Sequence, residues 1–431
     1  MVDLTANCAG IRSPNPFWLA SGPPTNTGDQ VSRAFDAGWG GAVWKTIGVP
    51  IQNVSSRYGA VDYGGKRLMG FNNIELISDR SVDANLKEIR DVKRRFPDHA
   101  IVASLMVETK EEWKEIIERS EEAGADGHEL NFGCPHGMCE RGMGSAVGQE
   151  PEVLAEITSW AKSFAKKPVL VKLTPNVGDI VEPGRAAVKG GADGISLINT
   201  LKSLMGVDLD RMVPLPVVGT RSTNGGYCGP AVRPIALHMV AALARDAVTR
   251  KLPISGIGGI SNWRDAAEFL ALGSSTVQVC TAVMHYGFRI VEDMIEGLET
   301  FMEEKGYAKL DDLVGRAVPA FVEWGELDLN YKIVASIDAE KCIGCELCYV
   351  ACWDGAHQCI EKGKPRAQER DGHGLLEPKV PRILEDHCTG CNLCSLVCPV
   401  DGCITMKRTD DGKNPVTWNQ LIDKTQIIKS H

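Results

Sequence analysis

Short apolar, β-branched runs recur along roughly the first 315 residues, alternating with longer stretches in which apolar positions fall three and four apart. The runs are Phe17–Gly22, Gly41–Ile47, Ile101–Val107, Gly127–Cys134, Pro168–Thr174, Gly194–Thr200, Pro253–Ile260 and Thr276–Val283. Near-continuous apolar runs suit strands buried on both faces, and strands that alternate with helices argue for a parallel sheet. Their number and the length they occupy predict an α/β fold, a (β/α)8 TIM barrel over residues 1–315. Among the intervening helices, Lys110–Ala123 (KEEWKEIIERSEEA) sets Trp113, Ile116 and Ile117 on one face and charge on the other.

Several runs end on polar or small residues: Lys45-Thr46, Asn131, Lys172, Asn199-Thr200, Gly258-Gly259 and Cys280-Thr281. Any one of these could simply end a strand. Six agreeing ends point to chemistry at the C-terminal mouth of the barrel, where such folds carry their active sites.

Beyond a linker at residues 316–334, the character of the chain changes. The protein has 15 cysteines, ten of them between Cys342 and Cys403. The segment 335–431 therefore reads as a second domain, with Glu361–Pro381, rich in Lys, Arg, Gly and Pro, as a loop inside it.

Composition narrows the function classes. With 431 residues, 43% of them hydrophobic, the chain can bury a large core. Its net charge of −9 is the wrong sign for a protein that mainly grips a phosphate backbone, so no nucleic-acid partner is expected. No run reaches the roughly 18 apolar residues of a membrane span. The start, MVDLTANCAG, has neither a basic segment nor an apolar run, so no signal peptide or membrane association is expected and the cytoplasm is the default location. In a reducing compartment, clustered cysteines argue for metal ligation over disulfides.

The cysteines form two copies of C-x2-C-x2-C-x3-C, one over Cys342–Cys352 and one over Cys388–Cys398. Two four-thiolate zinc sites are an alternative, but zinc motifs usually pair C-x2-C knuckles. The spacing resembles bacterial two-cluster ferredoxins, in which three close cysteines hold one [4Fe-4S] cube and the fourth reaches to the other. That resemblance implies Cys342, Cys345, Cys348 and Cys398 for one cube, and Cys388, Cys391, Cys394 and Cys352 for the second. Trp353 stands where the ferredoxin pattern usually has proline, while Cys359 and Cys403 are surplus and read as packing thiols.

In the barrel, Glu129–Gly148 (ELNFGCPHGMCERGMGSAVG) places Cys134 just past a strand end on a glycine-rich loop, the composition of a lid. Asn131, Cys134, Pro135 and His136 make this stretch similar to the active-site loop of dihydropyrimidine dehydrogenases, and N-F-G-C-P resembles the N-x-G-C-P of tRNA-dihydrouridine synthases. Dihydroorotate dehydrogenases share the FMN barrel. The likeness to dihydropyrimidine dehydrogenases covers nearly the whole chain. It implies that Cys134 is the acid that protonates a pyrimidine carbon while FMN supplies hydride, chemistry that needs a thiol protonated at neutral pH, as an unperturbed cysteine is. It further implies pyrimidine contacts from Asn73 and Glu75 (in NIELIS), Asn131, His136, Asn199 and Thr200, since amides match a ring with adjacent carbonyl and N–H groups. For FMN it implies Ala20, Ser21, Lys45, Thr46, Lys172, Gly229, Gly258, Gly259, Cys280 and Thr281, together with Asn73, Asn131 and Asn199. The lysines would stabilise the reduced ring, and backbone N–H groups of GIGGI and QVCTA would hold the phosphate. GIGGI lacks the full G-x-G-x-x-G and comes late, so a Rossmann reading is rejected. Two departures stand out: Gly133 occupies a position where serine is frequent, and Cys139 adds a second thiol, read as a passenger.

The long members of the family carry their own FAD and pyridine-nucleotide domains, and nothing in this sequence supplies them. The resemblance therefore implies a partner flavoprotein that holds FAD, oxidises NADH or NADPH, and passes electrons through the cubes to FMN for reversible reduction of uracil or thymine. Competing readings are a dihydroorotate dehydrogenase, which needs a cation for the orotate carboxylate, and a tRNA-dihydrouridine synthase, disfavoured by charge and by the fused ferredoxin. A chain that only transfers electrons would leave Cys134, the amides and the lysines without a purpose.

Overall fold

The computed structural model describes residues 2–63, 66–363, 379–409 and 412–422, with backbone alone at 62, 63, 66–68, 139 and 140. Most of the expected loop Glu361–Pro381, and the side chain of Cys139, lie outside the described residues. The chain divides into two compact units, Met1–Phe321 and Val322–His431.

The first unit is a closed barrel of eight parallel strands: β1 (Phe17–Leu19), β2 (Gly41–Ile47), β3 (Ala100–Leu105), β4 (Gly127–Asn131), β5 (Val169–Lys172), β6 (Gly194–Leu197), β7 (Ile254–Ile257) and β8 (Ser274–Val279). Neighbours in sequence are neighbours in space, and β8 pairs with β1 to close the ring. All seven residues of β2 are buried, as a strand covered on both faces requires. Most strands stop short of the apolar runs that predict them. Phe132–Cys134 after β4 and Ile198–Thr200 after β6 leave the ladder and become mouth loops, which frees their side chains for a site.

Helices surround the barrel. Lys110–Glu122 opens on a capping box in which Thr109 Oγ1 accepts from Glu112 N (3.2 Å) and Glu112 Oε2 accepts from Thr109 N (2.9 Å). It buries Trp113, Ile116 and Ile117. At the opposite end from the mouth, the hairpin Ala6–Cys8/Ile11–Ser13 plugs the barrel, its Cys8 and Ile11 packing with Trp18, Val43 and Leu170. Among the described residues no helix is long and apolar enough to cross a membrane.

An antiparallel sheet of Tyr58–Tyr63, Lys66–Asn73, Leu201–Ser203 and Gly225–Cys228 stands over the mouth loops. Its strands are too short or too polar to carry a period, and sequence reasoning does not find them. Residues 316–321, read from sequence as linker, pack with the barrel: Ala317 N donates to Ala271 O (2.8 Å) and the Phe321 ring lies edge-on to His238.

Four barrel histidines, His99, His128, His136 and His285, are pushed below the usual imidazole range, each first by burial. His128 is fully buried, with Ser120 Oγ at 3.2 Å and Glu121 Oε1 at 3.3 Å, and Glu121 pulls only part of the shift back. The unfolded chain takes up these protons below about pH 6.5 while the folded chain resists, so stability falls as pH drops through that value, by at most about 1.4 kcal/mol per pH unit and group. The thermal midpoint is expected to fall between about pH 7.5 and about pH 5.5, and His128→Gln to flatten that slope.

The second unit repeats itself. Ile333–Ile337 pairs antiparallel with Ile404–Arg408, and Ile360–Glu361 with Arg382–Ile383. Two short helices, Leu347–Trp353 and Leu393–Leu396, carry cysteines inward. Its buried core holds Ala335, Ile360 and Ile404 together with Cys348, Cys352, Cys359, Cys394 and Cys403.

Candidate functional site

The mouth of the barrel opens into a pocket of about 1280 Å³, its open entrance included. Every barrel residue expected from sequence to bind pyrimidine or FMN lines it, Ala20, Ser21, Gly229 and Thr281 included.

Two lysines, Lys45 and Lys172, are buried at its base, each about 5% exposed. Lys45 Nζ donates to Glu75, whose carboxylate also accepts from Tyr58 and faces Arg57 Nε at 3.4 Å. Glu75, expected on the substrate, thus has both oxygens engaged by protein groups. Lys172, at the end of β5, faces Glu129 of β4, a carboxylate with no exposed surface.

A chain of polar groups crosses the pocket. Ser21 Oγ lies 3.2 Å from Thr46 Oγ1, and Thr46 Oγ1 accepts from Asn131 Nδ2 (2.9 Å). Asn131 Oδ1 accepts from Asn199 Nδ2 (3.0 Å), and Asn199 Oδ1 from the Thr200 backbone N–H (2.8 Å). Asn73, from the overlying sheet, donates to Gly226 O at 3.2 Å. An ideal Cβ on Gly133 would lie 2.3 Å from Asn199 Cβ, so a side chain at this position would require Asn199 to shift.

Cys134 lies 9% exposed beside this row, with Sγ 3.5 Å from His136 O, and packs against Ile77, Met106, Met138 and Met143. His136 Nε2 donates to Glu75 O (3.0 Å), which fixes the neutral tautomer and leaves Nδ1 buried without a hydrogen bond. Burial pushes its imidazole down, and the Glu75 carbonyl returns part of that.

The far side of the pocket is a backbone cradle. Gly229, Gly258 and Gly259 all have positive φ (88°, 136° and 75°), and a Cβ on Gly259 would sit 2.7 Å from Gly229 O. Two loops therefore meet with nothing between them but main chain, the surface an anion or phosphate uses. Cys280 and Cys228 border the cradle, their thiols pushed up by burial to about 12 and about 11. The donor set of two lysines, three amides and a glycine cradle fits a flavin mononucleotide with a planar amide-bearing ring beside it.

Sequence reasoning missed the aromatic wall of Tyr58, Phe71, Tyr227 and His285, because most of it comes from the unrecognised sheet. It also missed Glu129, although the strand period puts Glu129 and Asn131 on one face.

In the second unit, one cavity is lined by Cys342, Cys345, Cys348 and Cys398, and another by Cys352, Cys388, Cys391 and Cys394. This is the crosswise grouping that the ferredoxin resemblance implies. Cys403 borders the first cavity and Cys359 the second. Among the described residues no three His, Cys, Asp or Glu side chains are arranged around a single ion. A four-iron cube places each thiolate on a different metal atom and so takes a wider ring.

Residues 3–302 match the model of the dihydroorotate dehydrogenase family, and residues 335–406 that of the 4Fe-4S dicluster domain. The chain is 41% identical over 420 residues to the NAD-dependent dihydropyrimidine dehydrogenase subunit PreA of Escherichia coli (strain K12), covering 96% of this chain and 99% of that protein. The chain belongs to the dihydropyrimidine dehydrogenase family. The chloroplastic dihydropyrimidine dehydrogenase (NADP(+)) of Arabidopsis thaliana is 42% identical over 352 residues, 79% of this chain and 83% of that one. The catalytic subunit of dihydroorotate dehydrogenase B (NAD(+)) from Pyrococcus abyssi is 38% identical over 317 residues, 73% of this chain and 99% of its own. Membership of the dihydropyrimidine dehydrogenase family thus extends through both units, whereas the likeness to the dihydroorotate enzyme covers less of the chain.

Proposed function

We propose that this chain is the FMN- and iron–sulfur-bearing subunit of a dihydropyrimidine dehydrogenase and reversibly reduces uracil or thymine to the 5,6-dihydro base. The observation that carries the proposal is the meeting, in one pocket, of Cys134 with the linked amides of Asn131 and Asn199.

FMN, when bound, supplies hydride to one carbon of the pyrimidine double bond. The remaining work falls to residues of the chain. Asn73, Asn131 and Asn199 present carbonyl and N–H groups to the ring edges, and the links to Thr46 and Thr200 fix which way the amides face. Cys134 gives its thiol proton to the neighbouring ring carbon, so a hydride and a proton together saturate the bond. In this structure the thiol donates to the His136 carbonyl at 3.5 Å. Lys45, Lys172 and the glycine cradle hold the negative charge of the cofactor. Glu75, bound to Lys45, fixes the pocket wall and, through its carbonyl, His136.

The crosswise cysteine cavities would hold two [4Fe-4S] cubes that accept electrons from a flavoprotein partner carrying FAD and oxidising NADH or NADPH. The test is an anaerobic titration of the chemically reduced protein, following flavin and cluster absorbance as uracil, thymine or orotate is added. Rapid reoxidation by uracil or thymine alone is expected. Reoxidation by orotate alone would move the chain to the dihydroorotate enzymes, and no reoxidation by any pyrimidine would end the substrate assignment.

A further inference from the structure

Glu129 has no role in the chemistry above, yet it is a fully buried carboxylate at the centre of the barrel. Such a group is rarely found without a counter-charge and hydrogen bonds, and an apolar residue there would serve stability at least as well. Its surroundings are built from every strand on that side. Oε2 accepts from Ser196 Oγ of β6 (2.8 Å) and from Gln278 Nε2 of β8 (3.1 Å). Gln278 Nε2 also donates to Ser255 Oγ of β7 (3.0 Å), which in turn accepts from Thr276 Oγ1 (2.9 Å). Because a carboxylate only accepts, this network fixes the Gln278 amide with its nitrogen toward Glu129.

The other oxygen, Oε1, has one neighbour of note, Lys172 Nζ at 3.3 Å. The contact is an ion pair without an aligned hydrogen bond. The ammonium is therefore attracted to the floor while its N–H groups stay available to whatever occupies the pocket that Lys172 lines. Lys45 differs, since it donates directly to Glu75 on the wall. Of the two lysines, Lys172 is the one whose donors are uncommitted in this way.

We propose that Glu129 is a positioning residue that acts through Lys172, pinning the ammonium under the flavin so that it stabilises an anionic ring. The inference rests on the flavin reading of the preceding subsection. Without the carboxylate, the four-carbon stem of Lys172 is free to leave the floor. The opposite view, that Glu129 merely adds negative charge below the ring, makes the reverse forecast.

Sulfite binding separates the two, because sulfite adds to an oxidised flavin ring, leaves it anionic and bleaches its absorbance. In the FMN-loaded protein, Glu129→Gln should weaken sulfite binding by about tenfold or more and lower the flavin potential, the loss of one charge-assisted contact. Glu129→Asp should recover part of the loss, and Glu129→Gln should have no further effect when Lys172 is already Met. Ser196→Ala and Gln278→Met, which loosen Glu129 without changing charge, should shift sulfite binding the same way by less, and they serve if Glu129→Gln does not fold. Unchanged or tighter sulfite binding in these variants overturns the proposal while FMN binding leaves the flavin reading standing. A protein that retains no FMN under any condition overturns both.

Discussion

Cys134→Ala removes pyrimidine reduction by a factor of about 10²–10⁴ or more, the usual contribution of a positioned proton donor. The measurement is the rate at which uracil or thymine reoxidises the anaerobically reduced protein, with FMN and iron content as controls. Those controls should not move. The loop at Cys134 is held by main chain, since Ser145 N donates to Cys134 O (3.0 Å), and the thiol packs against methionines and isoleucine that can settle around a methyl group. Hydride transfer without a partner proton leaves a carbanion on the ring, so the loss should appear in the chemical step and not in pyrimidine affinity. If activity survived in Cys134→Ala and vanished in Cys139→Ala, the acid would be the other thiol of the loop.

The second large effect concerns which cysteines share a cube. Cys398→Ala should cost the protein one cube and stop electron delivery from a partner, because a chain of redox centres fails when one is missing. The single variant does not say which cube is lost. The double variant Cys342→Ala, Cys398→Ala does. Under the crosswise grouping, both substitutions fall in the same cavity, and Cys352, Cys388, Cys391 and Cys394 still hold the second cube. If instead each C-x2-C-x2-C-x3-C run held its own cube, the same double variant would lose both. Iron and sulfide content per chain reads the difference directly. Chemically reduced flavin should still turn over pyrimidine in these variants, since the barrel residues are untouched.

The barrel is legible in the sequence because its signal is local: strands buried on both faces need apolar runs, and β2 is buried at every position. The candidate site is legible where residues sit at strand ends, as Asn131 and Lys172 do, or just past them, as Cys134 and Asn199 do. It is illegible where the chain folds back over the mouth. Phe71 and Tyr227 reach the pocket from strands that pair with each other across well over a hundred residues, Tyr58 from the edge strand beside them, and short, half-exposed strands carry too few residues for a period to show. Glu129 is a different case. Its letter is plain, but a carboxylate within an apolar run looks like an interruption until three other strands are seen to converge on it.

The core of the second unit has a consequence for the life of the chain. Among the described residues, five of the eight buried members of its core cluster are cysteines, and Ala335, Ile360 and Ile404 are the other three. So small a core cannot offset the entropy of ordering such a segment. Metal–thiolate bonds must supply the difference, and two of the cysteines, Cys352 and Cys398, tie each half of the repeat to the cavity of the other. A chain made without iron would then be half a protein, a folded barrel trailing an open tail. Proteases would trim it near Phe321, and the abundance of intact enzyme would follow the supply of iron and sulfide through turnover.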